Sequence, residues 1–169
     1  MALLTGERAG RICTVSAGAV SVRATFSGPP GEPPPRPVLP DPCPNASYHA
    51  LRRRRSGEEL KLTCEVRATR SEDLAASVDD LLRALSAHAA LVGAIFEVRV
   101  LRIADPLVPA AAAVGELARH LLASGLGVSF GPSPVPAPDG AVVCLGASGD
   151  ERRIERILRE HPAWQPVYP

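Results

Sequence analysis

The stretch that most constrains the fold runs from Leu60 to Ile103, where the residue pattern changes from strand to helix and back to strand. In its first part, apolar and polar residues alternate strictly. The apolar positions are Leu60, Leu62, Cys64, Val66 and Ala68. Because successive side chains of a strand point to opposite faces, this alternation predicts a strand with one dry face.

A helix is predicted after this strand, and a second strand follows it. Ser71 is a good N-cap residue, and Gly93 can end the helix or the turn after it. Apolar residues recur at helical spacing and form one stripe, at Leu74, Val78, Leu81, Leu82 and Leu85. The second strand places Phe96, Val98 and Val100 on its apolar face. Strands with a single dry face suit a sheet covered by helices on one side.

These apolar faces are expected to meet in one core, because each element must bury its apolar side against another. We predict that the central members of the three elements form a single cluster. They are Leu62, Val66, Leu81, Leu85, Val98 and Val100.

The rest of the chain extends the same pattern. Residues 11–26 contain two β-rich runs with a small-residue turn between them, which predicts an N-terminal β-hairpin. Asp105 followed by Pro106 predicts the start of a second helix, which Gly125 would close. We therefore predict an α+β fold, a two-layer sandwich with a mixed or antiparallel sheet and helices packed on one face, ferredoxin-like or related.

A third helix is predicted after Ser148, which lies three residues before Glu151, the spacing of a capping box. A Ser at a strand-to-helix turn also resembles a catalytic nucleophile. However, Asp150 stands where a nucleophile elbow has Gly. We therefore favour the cap, and an enzyme that uses Ser148 or Cys144 is a minor alternative.

The length of 169 residues predicts one domain, residues 1–169. Two proline-rich loops interrupt it, at residues 28–45 and 131–140, and a tail covers residues 162–169. Nine of the residues from Gly28 to Pro44 are proline. Since proline has no backbone N–H, this segment is expected to be an extended or disordered loop.

Composition excludes several classes of function. A formal net charge of +1 provides no overall attraction to nucleic acid or to an anionic membrane. No apolar run is long enough to span a bilayer, and residues 1–8 lack the layout of a signal peptide, so a cytoplasmic location is predicted. Cys64 and Cys144 lie in apolar strand patterns and are expected to be small buried hydrophobic residues.

Motifs for catalysis, metals and cofactors are missing from the sequence. None of the four histidines stands near a cysteine, and neither CxxC nor HxxxH occurs. A phosphate-binding GxGxxG or P-loop lysine is also lacking. We therefore predict a protein that is not an enzyme, with no catalytic residue, no bound metal and no cofactor.

One dense positive run supports an alternative, an RNA- or small-ligand-binding module. The segment from Ser47 to Arg54 is predicted to form a hairpin with the Leu60 strand, and its end carries the run. The candidate residues are Arg52, Arg53, Arg54 and Arg55. At most half of them can share one face of a strand, and aromatic residues for base stacking make up only 4% of the chain.

The favoured prediction is a non-enzymatic structural subunit or adaptor within a larger protein assembly, such as a multi-subunit bacterial machine. Its partners would be other protein subunits or a second copy of itself. Proline-rich segments lose little entropy on docking, and Trp and Tyr anchor interfaces well. The predicted partner-binding residues are Pro33, Pro34, Pro35, Arg36, Trp164 and Tyr168. Alternatively, Trp164 folds back onto the domain itself, since large aromatic residues are usually well buried.

Overall fold

The computed structural model describes residues 2–137, 143–161, 164 and 166–167. The chain divides into two compact units. The first contains Met1–Ala17 and Pro106–Pro169, and the second contains Gly18–Asp105.

The second unit is a four-stranded antiparallel sheet with one helix. Its elements are β3 (Gly18–Ser27), β4 (Ala46–Ser56), β5 (Glu59–Ala68), α1 (Ser71–Leu91) and β6 (Ile95–Ala104). The strand order is β4-β5-β3-β6. The strand–helix–strand prediction is confirmed, as is the hairpin between β4 and β5. Gly93 follows α1 with a φ of +65°, a conformation that glycine adopts without strain.

The core of this unit forms where α1 packs over β3 and β5. Four of the predicted members are fully buried there, namely Leu62, Val66, Leu81 and Leu85. Val98 is only partly buried against them. The prediction for Val100 is wrong, because 52% of this residue is exposed. It lies on β6, the edge strand, away from the central strands that the helix covers.

The first unit is a mixed five-stranded sheet with two helices. Its elements are β1 (Ala2–Arg8), β2 (Arg11–Ser16), α2 (Ala111–Ala123), β7 (Ser129–Ser133), β8 (Val143–Ser148), α3 (Glu151–Arg159) and β9 (Pro166–Val167). The strand order is β7-β2-β8-β1-β9. β1 is parallel to β8 and β9, and β2 is parallel to β7 but antiparallel to β8. The α+β class, with helices packed on sheets, is confirmed.

The strands β2 and β3 follow each other directly along the chain but hydrogen-bond in different sheets. β2 pairs with β7 and β8, whereas β3 pairs with β5 and β6. Each strand therefore finds its partners far away in the sequence. The direct pairing expected within residues 11–26 is replaced by these long-range ladders.

Helix starts differ from the sequence predictions. Ser148 is the last residue of β8 and does not cap α3, whose N-cap residue is Asp150. Glu151 does accept a hydrogen bond of 3.0 Å from the backbone N–H of Gly149. The cap expected at Asp105 is also wrong, because α2 begins only at Ala111. β8 includes Ser148, and an irregular segment separates Asp105 from the start of α2.

No helix in the described part of the chain combines the length and apolar character needed to cross a membrane. The cytoplasmic location stays a prediction.

Candidate functional site

The most distinctive polar surface lies on the face of the four-stranded sheet opposite α1. Strand alternation places charged and hydroxyl side chains on this face and apolar ones on the other. We call its cations the basic face. They are Arg23, Arg52, Arg54, Lys61, Arg67, Arg99 and Arg102, and three carboxylates lie among them, Glu59, Glu65 and Glu97.

The register of the strands brings these cations together in rows across the sheet. In one row, Arg52, Thr63, Arg23 and Arg99 lie side by side on the four strands. In the next row, Arg54 pairs with Lys61. Residues that are far apart in the sequence thus become neighbours at cross-strand distance.

A groove of about 480 Å³ opens between these rows, and we call it the basic groove. Its lining residues are Arg23, Arg52, Arg54, Lys61 and Thr63. A second depression of about 270 Å³ shares Arg23 and Lys61 and extends toward Arg99 and Glu97. The basic groove is therefore lined by four cations and a hydroxyl, all of them hydrogen-bond donors.

The carboxylates neutralise the basic face only in part. Lys61 Nζ lies 2.8 Å from Glu59, and Arg67 is paired with Glu65. Within the described residues, Arg23 and Arg52 make no ion pair with a carboxylate. These two arginines keep their donors available to a ligand.

Glu65 belongs to a hydrogen-bonded group beside the groove. Burial raises the pKa of Glu65, but hydrogen bonds from Arg67 and Ser21, together with the charges of Arg67 and Arg102, outweigh burial and hold the pKa below its ordinary value. The Ser21 hydroxyl donates to Glu65 over 2.9 Å. Opposite Glu65, burial and the charge of Arg67 lower the pKa of His49. Glu65 is therefore held as a carboxylate that anchors Arg67.

The predicted arginine run is split between the two faces of β4. Arg52 and Arg54 contribute to the basic groove. Arg53 lies opposite Leu62 and Arg55 opposite Leu60, both buried residues of the other face. Arg55 donates a hydrogen bond of 3.2 Å to the carbonyl of Pro34. Only half of the run can therefore contact a ligand on the basic face.

The proline-rich loop packs against its own unit. Pro34 is buried, whereas Pro33, Pro35 and Arg36 are exposed. The carbonyl of Pro35 lies 3.0 Å from Nε2 of His88 on α1. The loop is thus tied to the helix and to β4, and partner binding by its exposed residues stays a prediction.

The two aromatic residues predicted to bind a partner are in the C-terminal tail. Trp164 is only 4% exposed and lies in the hydrophobic core of the first unit. This position corresponds to the alternative in which the tail folds back onto the protein. Tyr168 lies outside the described residues.

A second polar cluster lies in the first unit and is buried. Cys13 on β2 and Cys144 on β8 are next to the antiparallel pair Ile12–Leu145, and both belong to one small core cluster. The Ser16 hydroxyl donates to Cys144 Sγ over 2.8 Å. Hydrogen bonding with Cys13, and then with Ser16, lowers the pKa of Cys144 to about 7 although burial opposes this shift. The same contact with Cys144, together with burial, raises the pKa of Cys13.

Neither cluster contains a metal site. Among the residues described by the structure, no three His, Cys, Asp or Glu side chains lie close enough together to hold a metal ion.

The basic groove is not recognisable as a unit in the sequence. Arg23, Lys61 and Arg99 stand at the polar positions of alternating strands, which is a local signal. These residues lie close together only because of the strand order β4-β5-β3-β6, which local sequence patterns do not predict. The same holds for Cys13 and Cys144.

The similarity of this chain to known proteins is structural. No protein-family model matches the chain, and no curated protein sequence matches it. Solved structures of peptidases and amidases have a similar fold. A tripeptidase from Staphylococcus aureus subsp. aureus Mu50 matches 85% of this chain and 47% of its own, with a TM-score of 0.66 and 16% identity.

Two other structures extend this similarity. Aminopeptidase PepT from Bacillus cereus ATCC 10987 matches 85% of this chain and 47% of its own, with a TM-score of 0.60 and 15% identity. An amidase of the hydantoinase/carbamoylase family from Burkholderia multivorans matches 82% and 42%, with a TM-score of 0.57 and 15% identity. The chain spans about half the length of these proteins. At such identities the similarity concerns the fold.

The prediction of a non-enzymatic adaptor is wrong. The chain shares its fold over most of its length with parts of solved structures of peptidases and amidases. The same finding argues against the prediction that the chain is not an enzyme. Sequence motifs do not reveal this similarity, because it lies in the arrangement of strands and helices, at 16% identity or less.

Proposed function

We propose that this protein belongs to an enzyme that hydrolyses amide bonds, including peptide bonds. The observation that carries the proposal is the extent of the fold similarity, which covers 85% of this chain in the tripeptidase. The similar structures are described as peptidases and as amidases, and both act on a carbonyl–nitrogen bond. Because the chain spans less than half of the tripeptidase, the proposed activity is that of the complete protein.

The second unit supports a role in subunit association within this enzyme. In the described structure β6 pairs with β3 only, so the backbone groups of its other edge have no partner strand. Several large apolar side chains of β6 are exposed, at Ile95, Val100, Leu101 and Ile103. A long, exposed apolar edge strand is a template for pairing with another strand. We assign this edge to a second copy of the chain, because a two-fold axis pairs an edge strand with itself in antiparallel orientation.

The proposed hydrolysis is tested with the protein expressed at its full natural length. Purified protein would be incubated with a tripeptide and with an N-carbamoyl amino acid, each with and without added zinc, manganese or cobalt ions. Release of amine or ammonia would be measured. A mock purification from a host without the gene is the control for contaminating peptidases. We expect release well above the control for at least one substrate, and release equal to the control throughout would overturn the proposal.

A further inference from the structure

The basic face contains like charges directly opposite each other. Arg23 on β3 is paired in register with Arg99 on β6, and Arg54 on β4 is paired with Lys61 on β5. Like charges directly opposite each other on neighbouring strands are destabilising. Among the described residues, no carboxylate forms an ion pair with Arg23, Arg54 or Arg99. A bound anion would relieve this repulsion.

The spacing of the groove cations suits several anionic groups held close together. Neighbouring strands are about 4.8 Å apart, and same-face residues of one strand are about 7 Å apart. Arg52, Arg54, Lys61 and Arg23 therefore originate from a patch about 10 Å by 7 Å. Guanidinium groups bind phosphate with paired hydrogen bonds, and the Thr63 hydroxyl adds a neutral donor.

The borders of the groove favour a compact anion over a nucleic-acid strand. Glu59 and Glu97 lie beside the cations, and Glu65 follows in the next row, so the positive region ends within a few residues. No aromatic side chain lies among the lining residues, and the nearby Phe26 and Phe96 pack against each other on the apolar face. Single-stranded nucleic acid is usually bound by an extended basic track with aromatic stacking.

We propose that the basic groove, lined by Arg23, Arg52, Arg54, Lys61 and Thr63, binds a compact oligophosphate, a small molecule with two or more linked phosphate groups. The groove would hold the ligand through charge-assisted hydrogen bonds from three arginines and one lysine. This site goes beyond the proposed hydrolysis and does not depend on it, because it is tested by binding alone.

The proposal is tested by calorimetric titration of the full protein with inorganic tripolyphosphate at low ionic strength. Arg52 and Arg53 provide a matched pair, because they are adjacent on β4, carry the same charge and lie on opposite faces. We expect Arg52→Gln to weaken binding about tenfold and Arg53→Gln to change it by about twofold or less. If both variants weakened tripolyphosphate binding equally, the effect would come from the overall charge of the protein, and the proposed site would be wrong.

Further titrations separate the chemical classes of ligand. Citrate is a compact anion with three carboxylates and no phosphate, and a short single-stranded oligonucleotide has phosphate groups spread along a chain. We expect tripolyphosphate to bind more tightly than both, with weakening by Arg23→Gln as well as by Arg52→Gln. Undetectable binding of tripolyphosphate, or tighter binding of citrate or of the oligonucleotide, would overturn the proposal. Since no substrate turnover is measured, failure of the hydrolysis assay does not affect this result.

Discussion

The hydroxyl of Ser16 donates a hydrogen bond of 2.8 Å to Sγ of Cys144, and both side chains are buried in the first unit. A hydrogen bond to the charged form of an acid stabilises that form. Together with the contact from Cys13, this bond keeps the pKa of Cys144 near 7. Cys144 is thus more than a small buried hydrophobic residue.

We predict that Ser16→Ala raises the pKa of Cys144, because the variant removes one donor from the thiolate while burial continues to disfavour the charge. The ultraviolet absorbance of the thiolate, followed against pH in a Cys43→Ser/Cys64→Ser background, would report the midpoint. Ser124→Ala is the control, since Ser124 donates to the His120 carbonyl and not to a thiol. A midpoint that stays in place in Ser16→Ala would contradict the assigned hydrogen bond.

The core of the second unit should be sensitive to cavities. Leu81 is fully buried between α1 and the sheet, so Leu81→Ala should lower the free energy of unfolding by about 2–5 kcal/mol. Leu91 lies on the same helix and is 85% exposed. Leu91→Ala should therefore change the free energy of unfolding by about 0.5 kcal/mol or less. Chemical denaturation of both variants measures the difference. Similar losses in both would mean that the apolar stripe of α1 is not its buried side.

The pKa of Glu65 makes a prediction about acid stability. Because the folded pKa lies below the ordinary value of 4.5, the ionised Glu65 stabilises the fold above that pH. This contribution is lost as the pH falls from 4.5 through the lower, folded pKa. We therefore expect Glu65→Gln to flatten the fall in unfolding free energy on acidification.

The matched control for this measurement is Glu72→Gln. Glu72 is paired with Arg70 on an exposed surface, where ion pairs contribute little. Its profile of unfolding free energy against pH should follow that of the unchanged protein. If Glu65→Gln also follows that profile, the hydrogen bonds from Arg67 and Ser21 do not stabilise the carboxylate.

The edge strand β6 makes a prediction about self-association. If two copies pair along β6, Ile103→Lys should shift the protein toward monomer, because a charge on an apolar edge opposes strand pairing. Light scattering coupled to size-exclusion chromatography would measure the mass. Leu122→Lys is the control, because Leu122 is an exposed leucine on α2 of the first unit. An unchanged protein that is monomeric at all concentrations would exclude pairing through β6.

Local periodicity was sufficient to predict β5 and α1 in the second unit, together with the buried side of each. The alternation from Leu60 to Ala68 placed Leu62 and Val66 in the core, and helical spacing did the same for Leu81 and Leu85. Glycine placement also predicted where α1 and α2 end, since Gly93 and Gly125 follow them with positive φ. Such features depend on the residue's own strand or helix and its immediate neighbours.

Local patterns in the sequence could not predict contacts between distant segments. Val100 continues the alternation of its strand, yet it is exposed because β6 lies at the edge of the sheet. Ser148 has the spacing of a cap, yet β8 extends through it. An edge position and the length of a strand depend on which other strands are available to pair, and that choice is made across the whole chain.

Strand order likewise created both polar clusters. Arg23 and Arg52 are separated by 29 positions in the sequence, and they meet because β3 and β4 both pair with β5 at Thr63. Cys13 and Cys144 meet because β2 pairs with β8. The amino-acid pattern specified which side of each strand is polar, since alternation is a local property. The order of the hydrogen-bonded strands in each sheet specified which polar sides came together. Backbone pairing joins segments without regard to their separation along the chain.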